Sequence, residues 1–110
     1  MKTPVTYDGL ADWYDEHLAP FTALATEPIC SLLGVAHGRV VDIGCGGGVH
    51  IPPLLARGWD VTGVDLSVDQ LRVARARAGR DVSLVEADAT ALPFEDDEFD
   101  AAISAFTHTA

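Results

Sequence analysis

The chain has 110 residues, with seventeen Asp and Glu against seven Lys and Arg, giving a formal charge of −10 at pH 7. That length is one domain able to bury roughly 60 to 70% of its unfolded surface, and the acidic balance excludes a nucleic-acid partner, whose phosphates need Lys and Arg to displace counterions. The two cysteines lack a CxxC or histidine-spaced companion, Lys2 is followed by no apolar signal core, and no window approaches the ~20 apolar residues of a membrane span, so the reading is a reduced, cytoplasmic protein with no membrane partner.

Leu10, Trp13, Tyr14 and Leu18 recur at three- and four-residue steps, which predicts an amphipathic helix broken by Pro20. Trp13 and Tyr14 read equally as core anchors or as a lid. A second helix is expected from about Phe21 to Leu33, limited or kinked by Pro28 and stopped by Gly34. Residues 1–38 thus form a helical cap segment, and residues 39–110 form the core of the same domain. Arg39 to Ile43 is a nearly continuous β-branched run, which fits a strand buried on both faces of a parallel sheet.

The stretch VVDIGCGGG, Val40 to Gly48, follows at once. Glycine at 44, 46 and 48 permits positive φ and strips side chains from the turn, so that amide N–H groups would face a ligand where the next helix begins. Pro52 and Pro53 suit only a first helical turn, so this helix is expected to start late, near Ile51, and to end at Gly58. Asp60 to Val64 is a second strand with Asp65 at its end. Ser67 and Gln70 form a capping box for a helix ending at Gly79, whose arginines 72, 75, 77 and 80 read as a solvated face. A third strand, Val82 to Glu86, leads to Asp88. After the loop Ala89 to Glu98 comes a fourth strand, Phe99 to Ser104. Strands alternating with helices predict an α/β, doubly wound, Rossmann-like sheet, mainly parallel, with N-terminal helices.

Asp42, Asp65 and Asp88 fall at or just beyond the carboxyl ends of three successive strands. Open α/β sheets bind ligands outside those ends, so the three acids should ring one crevice. Asp65, some twenty residues past the first glycine, suits a ribose, because a carboxylate accepts hydrogen bonds from two vicinal hydroxyls. The nicotinamide fingerprint needs a glycine where Val49 stands, and an acid at 42 would repel a pyrophosphate. A nucleoside carrying an ammonium and a sulfonium would welcome the same carboxylates.

These residues resemble the class I S-adenosylmethionine-dependent methyltransferases, particularly those acting on small molecules. TYDGLADWYDE is similar to their N-terminal helix, VVDIGCGGG to the first motif, WDVTGVDLS to the second, and EADATALPFEDDEFDAAIS to the stretch from the third strand through the fourth. The resemblance implies S-adenosyl-L-methionine as cofactor and a small-molecule methyl acceptor as partner. It implies that Asp42, Gly44, Gly46 and Gly48, with Cys45 among them, hold the methionyl part, and that Asp65 holds the ribose. Leu66 would pack on the adenine, Asp88 and the Ala89 amide would meet its amino group, and Tyr7 or Tyr14 would close the site against water. The sequence departs from the family at Gln70, where a methionine is common, and at the two prolines after the glycine run. The family fold has seven strands and this chain offers about four, so the expectation is a C-terminally incomplete core, either a truncated product or a half-domain completed by a second copy or a complementing chain.

Methyl transfer is a direct displacement that needs positioning, exclusion of water and sometimes a base. His108, just beyond the fourth strand, is the candidate base, as its ordinary pKa suits proton transfer near neutrality. His50 reads as a helix N-cap, and His17 and His37 as surface residues. No His or Cys pair has metal-ligand spacing, so no metal is expected. Competing readings are a non-catalytic nucleotide-binding or assembly module and, against the position of Val49, a nicotinamide oxidoreductase.

Overall fold

A computed structural model describes residues 11–104; Tyr7, His108 and the Tyr14 side chain lie outside the described residues. The β-branched run forms a strand with the bounds its sequence predicts, β1 (Arg39–Ile43). Adjacent Val40 and Val41 are both buried, and because neighbours on a strand point to opposite faces, β1 is covered on both sides. The strands β2 (Asp60–Asp65), β3 (Ser83–Glu86) and β4 (Ala101–Ile103) complete a wholly parallel sheet in the order β3-β2-β1-β4. Val40 pairs in register with Val61 on one side and Ala101 on the other. This is the doubly wound, Rossmann-like arrangement that the alternation of elements predicts.

The N-terminal helices differ from expectation. Pro20 does not break the first helix: α1 (Ala11–Thr22) runs through it, a single 3-10 turn spans Ala23–Ala25, and α2 (Thr26–Leu33) follows. Pro20 and Glu16, whose carbonyl loses its helical donor there, are both exposed, so water can take the donor's place. Pro28 is the third residue of α2, where the N–H has no helical partner in any case. Gly34 ends α2 as expected, at φ 74°, donating its N–H to the Cys30 carbonyl at 3.1 Å.

The two prolines after the glycine run delay α3 (Ile51–Ala56), and fall at its second and third positions. α4 (Val68–Ala78) starts at Ser67, whose Oγ accepts from the Gln70 N–H at 3.2 Å. β3 begins one residue later than predicted, because the Val82 carbonyl accepts from Arg75 Nη1 at 2.7 Å. β4 is shorter than predicted at both ends. Asp100 Oδ2 turns to accept the Arg39 N–H at 2.8 Å, and Phe99 packs edge-on against Phe94 with ring centres 4.9 Å apart.

The core lies between the sheet and the short helix α3. Ile51 and Leu54 are fully buried with Val40, Val61, Trp59 and Val82 around them. Of the apolar stripe read on α1, Trp13 and Leu18 are not part of it, remaining 52% and 41% exposed. Trp13 stacks on His17 with ring centres 4.4 Å apart instead. Among the described residues no helix is long and apolar enough to cross a membrane.

Leu54 anchors a helix of only six residues, so the whole element depends on its burial. Leu54→Ala is expected to cost about 2–5 kcal/mol of stability, read as a lowered urea midpoint at an unchanged slope.

Candidate functional site

The glycine run leaves β1 and turns back over the end of β2. Gly44, Gly46 and Gly48 hold φ of 73°, 55° and 78°, which a side chain at those positions would strain. The N–H groups of Gly44 and Cys45 both donate to the Val64 carbonyl, at 2.8 and 2.9 Å. The Gly46 N–H donates to Asp65 Oδ2 at 2.8 Å, and the Gly48 N–H to the Cys45 carbonyl at 2.9 Å. The expected cradle of amides aimed at a ligand is thus corrected: four amides of the run are committed to the protein itself. The reason is that the end of β2 lies opposite the run, where the Val64 carbonyl and the Asp65 carboxylate accept its first three amides.

What the site offers instead is carboxylate. Asp42 is 2% exposed, and its Oδ2 is buried with no hydrogen-bond partner among the described residues. Burial, and secondarily the charge of Asp65, push its carboxyl up to about 7. Asp65 accepts the Gly46 N–H on Oδ2 and the Ser67 N–H on Oδ1 at 2.9 Å, leaving lone pairs on both oxygens. The order β3-β2-β1 places Asp88, Asp65 and Asp42 side by side across the carboxyl edge of the sheet. Asp88 itself is exposed: its Oδ1 accepts from the Thr90 N–H and hydroxyl, both at 2.9 Å, and those bonds hold its pKa below the usual carboxylate range. Leu66 stands 60% exposed beside Asp65, and Ala89 is exposed beside Asp88.

Burial first, then the charges of Asp42 and Asp65, push the Cys45 thiol well above the ordinary range, which favours the thiol over the nucleophilic thiolate. His50 stands at the N-cap position of α3, as read. Its side chain makes no cap; it is buried, with Nδ1 2.8 Å from Thr26 Oγ1, so it ties α2 to the end of the run. His17 and His37 are exposed, as read. No group of three His, Cys, Asp or Glu among the described residues could hold a metal.

Several residues near the site do more than their sequence reading assigns them. Gln70 is buried, and its Oε1 lies 3.9 Å from where a Cβ on Gly46 would stand. The arginines of α4 are not simply a solvated face: Arg75 bonds the Gly79 and Val82 carbonyls, while Arg77 reaches both the glycine run and Asp15 on α1. A groove of about 560 Å³ beside β4 is lined by Val41, Ile43, Phe94, Phe99 and Ala102. Val41 and Ile43 point to the face of β1 opposite Asp42, so this groove is separate from the acids.

Comparison with known proteins agrees with this geometry. The sequence profile of the family described as "Methyltransferase domain" matches residues 40–110. The chain is 46% identical over 74 residues to a demethylmenaquinone methyltransferase of Clavibacter sepedonicus, a match covering 66% of this chain and 30% of that protein. It is 34% identical over 67 residues to a ubiquinone biosynthesis O-methyltransferase of Psychrobacter cryohalolentis, covering 61% of this chain and 26% of that one. Among solved structures, the geranyl diphosphate C-methyltransferase of Streptomyces coelicolor A3(2), in complex with S-adenosyl-L-homocysteine, superposes with a TM-score of 0.62 at 25% identity, covering 73% of this chain and 32% of that chain. The chain therefore spans about a third or less of the length of these relatives. It belongs to the methyltransferase domain family.

Asp42 makes a prediction about stability. Its folded pKa is raised above its unfolded value of 3.8, so the native state holds a proton that the unfolded chain has lost. The Asp42 contribution to stability is therefore lost as pH rises from about 4 to about 7, by an amount on the order of 4 kcal/mol, and changes no further above. Asp42→Asn is expected to remove that slope. Urea unfolding should show the variant more stable than the parent chain at pH 8 and equal to it near pH 4.

Proposed function

We propose that this member of the methyltransferase domain family binds S-adenosyl-L-methionine across the carboxyl ends of β1, β2 and β3, and that the protein transfers the methyl group to a small-molecule acceptor. The observation that carries the reading is the pair of acids at the glycine run: a buried Asp42 oxygen without a partner beside Asp65, where the amides of the run are already bonded. A site rich in free acceptors and poor in free donors suits a cation and repels a phosphate. That disfavours a nicotinamide dinucleotide on electrostatic grounds.

The residues divide the cofactor between them. Asp42 and the turn Gly44, Cys45, Gly46 and Gly48 take the methionyl part, Asp65 the ribose hydroxyls, exposed Leu66 the adenine face, and Asp88 with Ala89 the adenine edge. When bound, the cofactor supplies an electrophilic methyl on a sulfonium. The chain's work is to fix that group and to keep water out, while Asp42, held toward its neutral form by the chain, ionises as the cation arrives. Tyr7 and Tyr14 are proposed as the closing groups and His108 as the base. The small-molecule acceptor is supported by the acidic surface and by the relatives, whose names place their methylations in quinone biosynthesis and on geranyl diphosphate. Two free cysteines support a cytoplasmic setting.

Titration calorimetry with S-adenosylhomocysteine tests the reading. The chain should bind, Asp65→Ala should bind at least tenfold more weakly, and folded chain that binds nothing would sink the proposal. Because a cation favours ionised Asp42, affinity should rise with pH through about 7 in the parent chain, and this component should vanish in Asp42→Asn. Binding without turnover of any acceptor would favour the non-catalytic module.

A further inference from the structure

Arg77 on α4 stands where three segments meet. Its Nη1 donates to the Gly47 carbonyl at 2.6 Å and lies 2.7 Å from Asp15 Oδ1, while its Nη2 donates to Asp15 Oδ2 at 2.9 Å. The peptide joining Gly47 to Gly48 is thereby held on both sides, since its N–H donates to the Cys45 carbonyl at 2.9 Å. One guanidinium thus fixes the plane of a peptide in the glycine run and grips a carboxylate of α1.

Gly47 itself supports this role. Unlike Gly44, Gly46 and Gly48 it has no positive φ, so its backbone does not require glycine. A Cβ there would lie 3.0 Å from Asp15 Oδ1, 3.1 Å from Val73 Cγ1 and 3.2 Å from Arg77 Nη1. The missing side chain leaves room for α1 to close on the run. The other ion pair between these helices is different in kind: Arg72 and Asp12 meet at 3.0 Å but keep 55% and 81% of their side chains exposed, against 29% and 25% for Arg77 and Asp15. Exposed pairs contribute little, whereas a shielded arginine that hydrogen-bonds Asp15 Oδ2 with one nitrogen and the Gly47 carbonyl with the other fixes geometry.

We propose that Asp15 and Arg77 form a clasp that shuts α1 onto the glycine run and sets the Gly47 peptide in the orientation that receives the cofactor. The inference rests on the cofactor reading above. Three consecutive glycines are the most mobile backbone a protein can build, and ordering them at the moment of binding would weaken affinity. The clasp orders them beforehand. It also holds Gly46, the neighbouring residue, where its N–H meets Asp65. Arg77 and Asp15 are positioning residues on this account, acting through the run.

The test is calorimetric titration of S-adenosylhomocysteine into the chain and its variants, beside their melting curves. Arg77→Met and the milder Asp15→Asn should each weaken binding about tenfold, and the double variant should be no weaker than Arg77→Met, because the second change removes an interaction already lost. Arg77→Lys should recover part of the loss, and Arg72→Ala should bind as the parent chain does. A purely structural role would lower the melting temperatures while leaving the affinities of the folded variants unchanged, and that result overturns the clasp. Additive losses in the double variant overturn it too. Parent chain that folds but does not bind overturns the cofactor reading and the clasp together, whereas parent chain that binds beside variants that bind equally overturns the clasp alone.

Discussion

The Val64 carbonyl accepts hydrogen bonds from two consecutive amides, those of Gly44 and Cys45, and the rest of the site is arranged around that fork. It folds the chain leaving β1 across the end of β2, although the two strands are parallel and their ends would otherwise simply point to solvent. Positive φ at Gly44 and Gly46 makes the reversal possible without a steric cost. Asp42 and Asp65 sit on the strands so joined, and their nearness follows from the fork together with the β1–β2 register, in which Asp42 lies opposite Gly63.

That arrangement is unfavourable for the protein alone. A carboxylate 2% exposed, with an unpartnered oxygen and a second acid close by, is held toward its neutral form at neutral pH. Local rules of stability would place an amide or a hydroxyl there. Conflict of this kind between folding and local chemistry collects at functional sites, where a ligand of opposite charge resolves it. The charges of the same two acids add to burial in pushing the Cys45 thiol above its ordinary range.

Around this centre the two N-terminal helices are held differently: α2 enters the core through buried Cys30, with Ile29 and Leu33 packed beside it, whereas α1 is tied by polar contacts. α1 reaches α4 through Asp12 and Asp15, while its apolar residues Trp13 and Leu18 remain largely in solvent. His50 with Thr26 ties α2 to the end of the glycine run. A joint made mainly of polar contacts needs few buried apolar ones, so α1 can shift against the sheet at lower cost than the strands can shift against one another.

Periodicity and turn chemistry are local properties, and the elements that rest on them were legible from residues alone: β1 from its β-branched run, α4 from Ser67 and Gly79, the late start of α3 from Pro52 and Pro53. The acids at 42, 65 and 88 were legible as a set, because parallel strands bring their carboxyl ends to one edge whatever the details of packing. Pro20 misled, since whether a proline ends a helix depends on whether water can reach the carbonyl it leaves bare, and that is a matter of exposure. The donors of the glycine run misled for a similar reason: glycine reports where backbone can turn, whereas the partner of each amide is chosen by the strand lying opposite, here β2. Arg77 and Asp15, sixty-two residues apart, give no sign of each other in the sequence. Sequence determined the order of elements and the charge of the crevice, which are carried by neighbouring residues; the tertiary fold decided which groups remain free to meet a ligand and which are already bonded, because hydrogen-bond partners are assigned by contact in space.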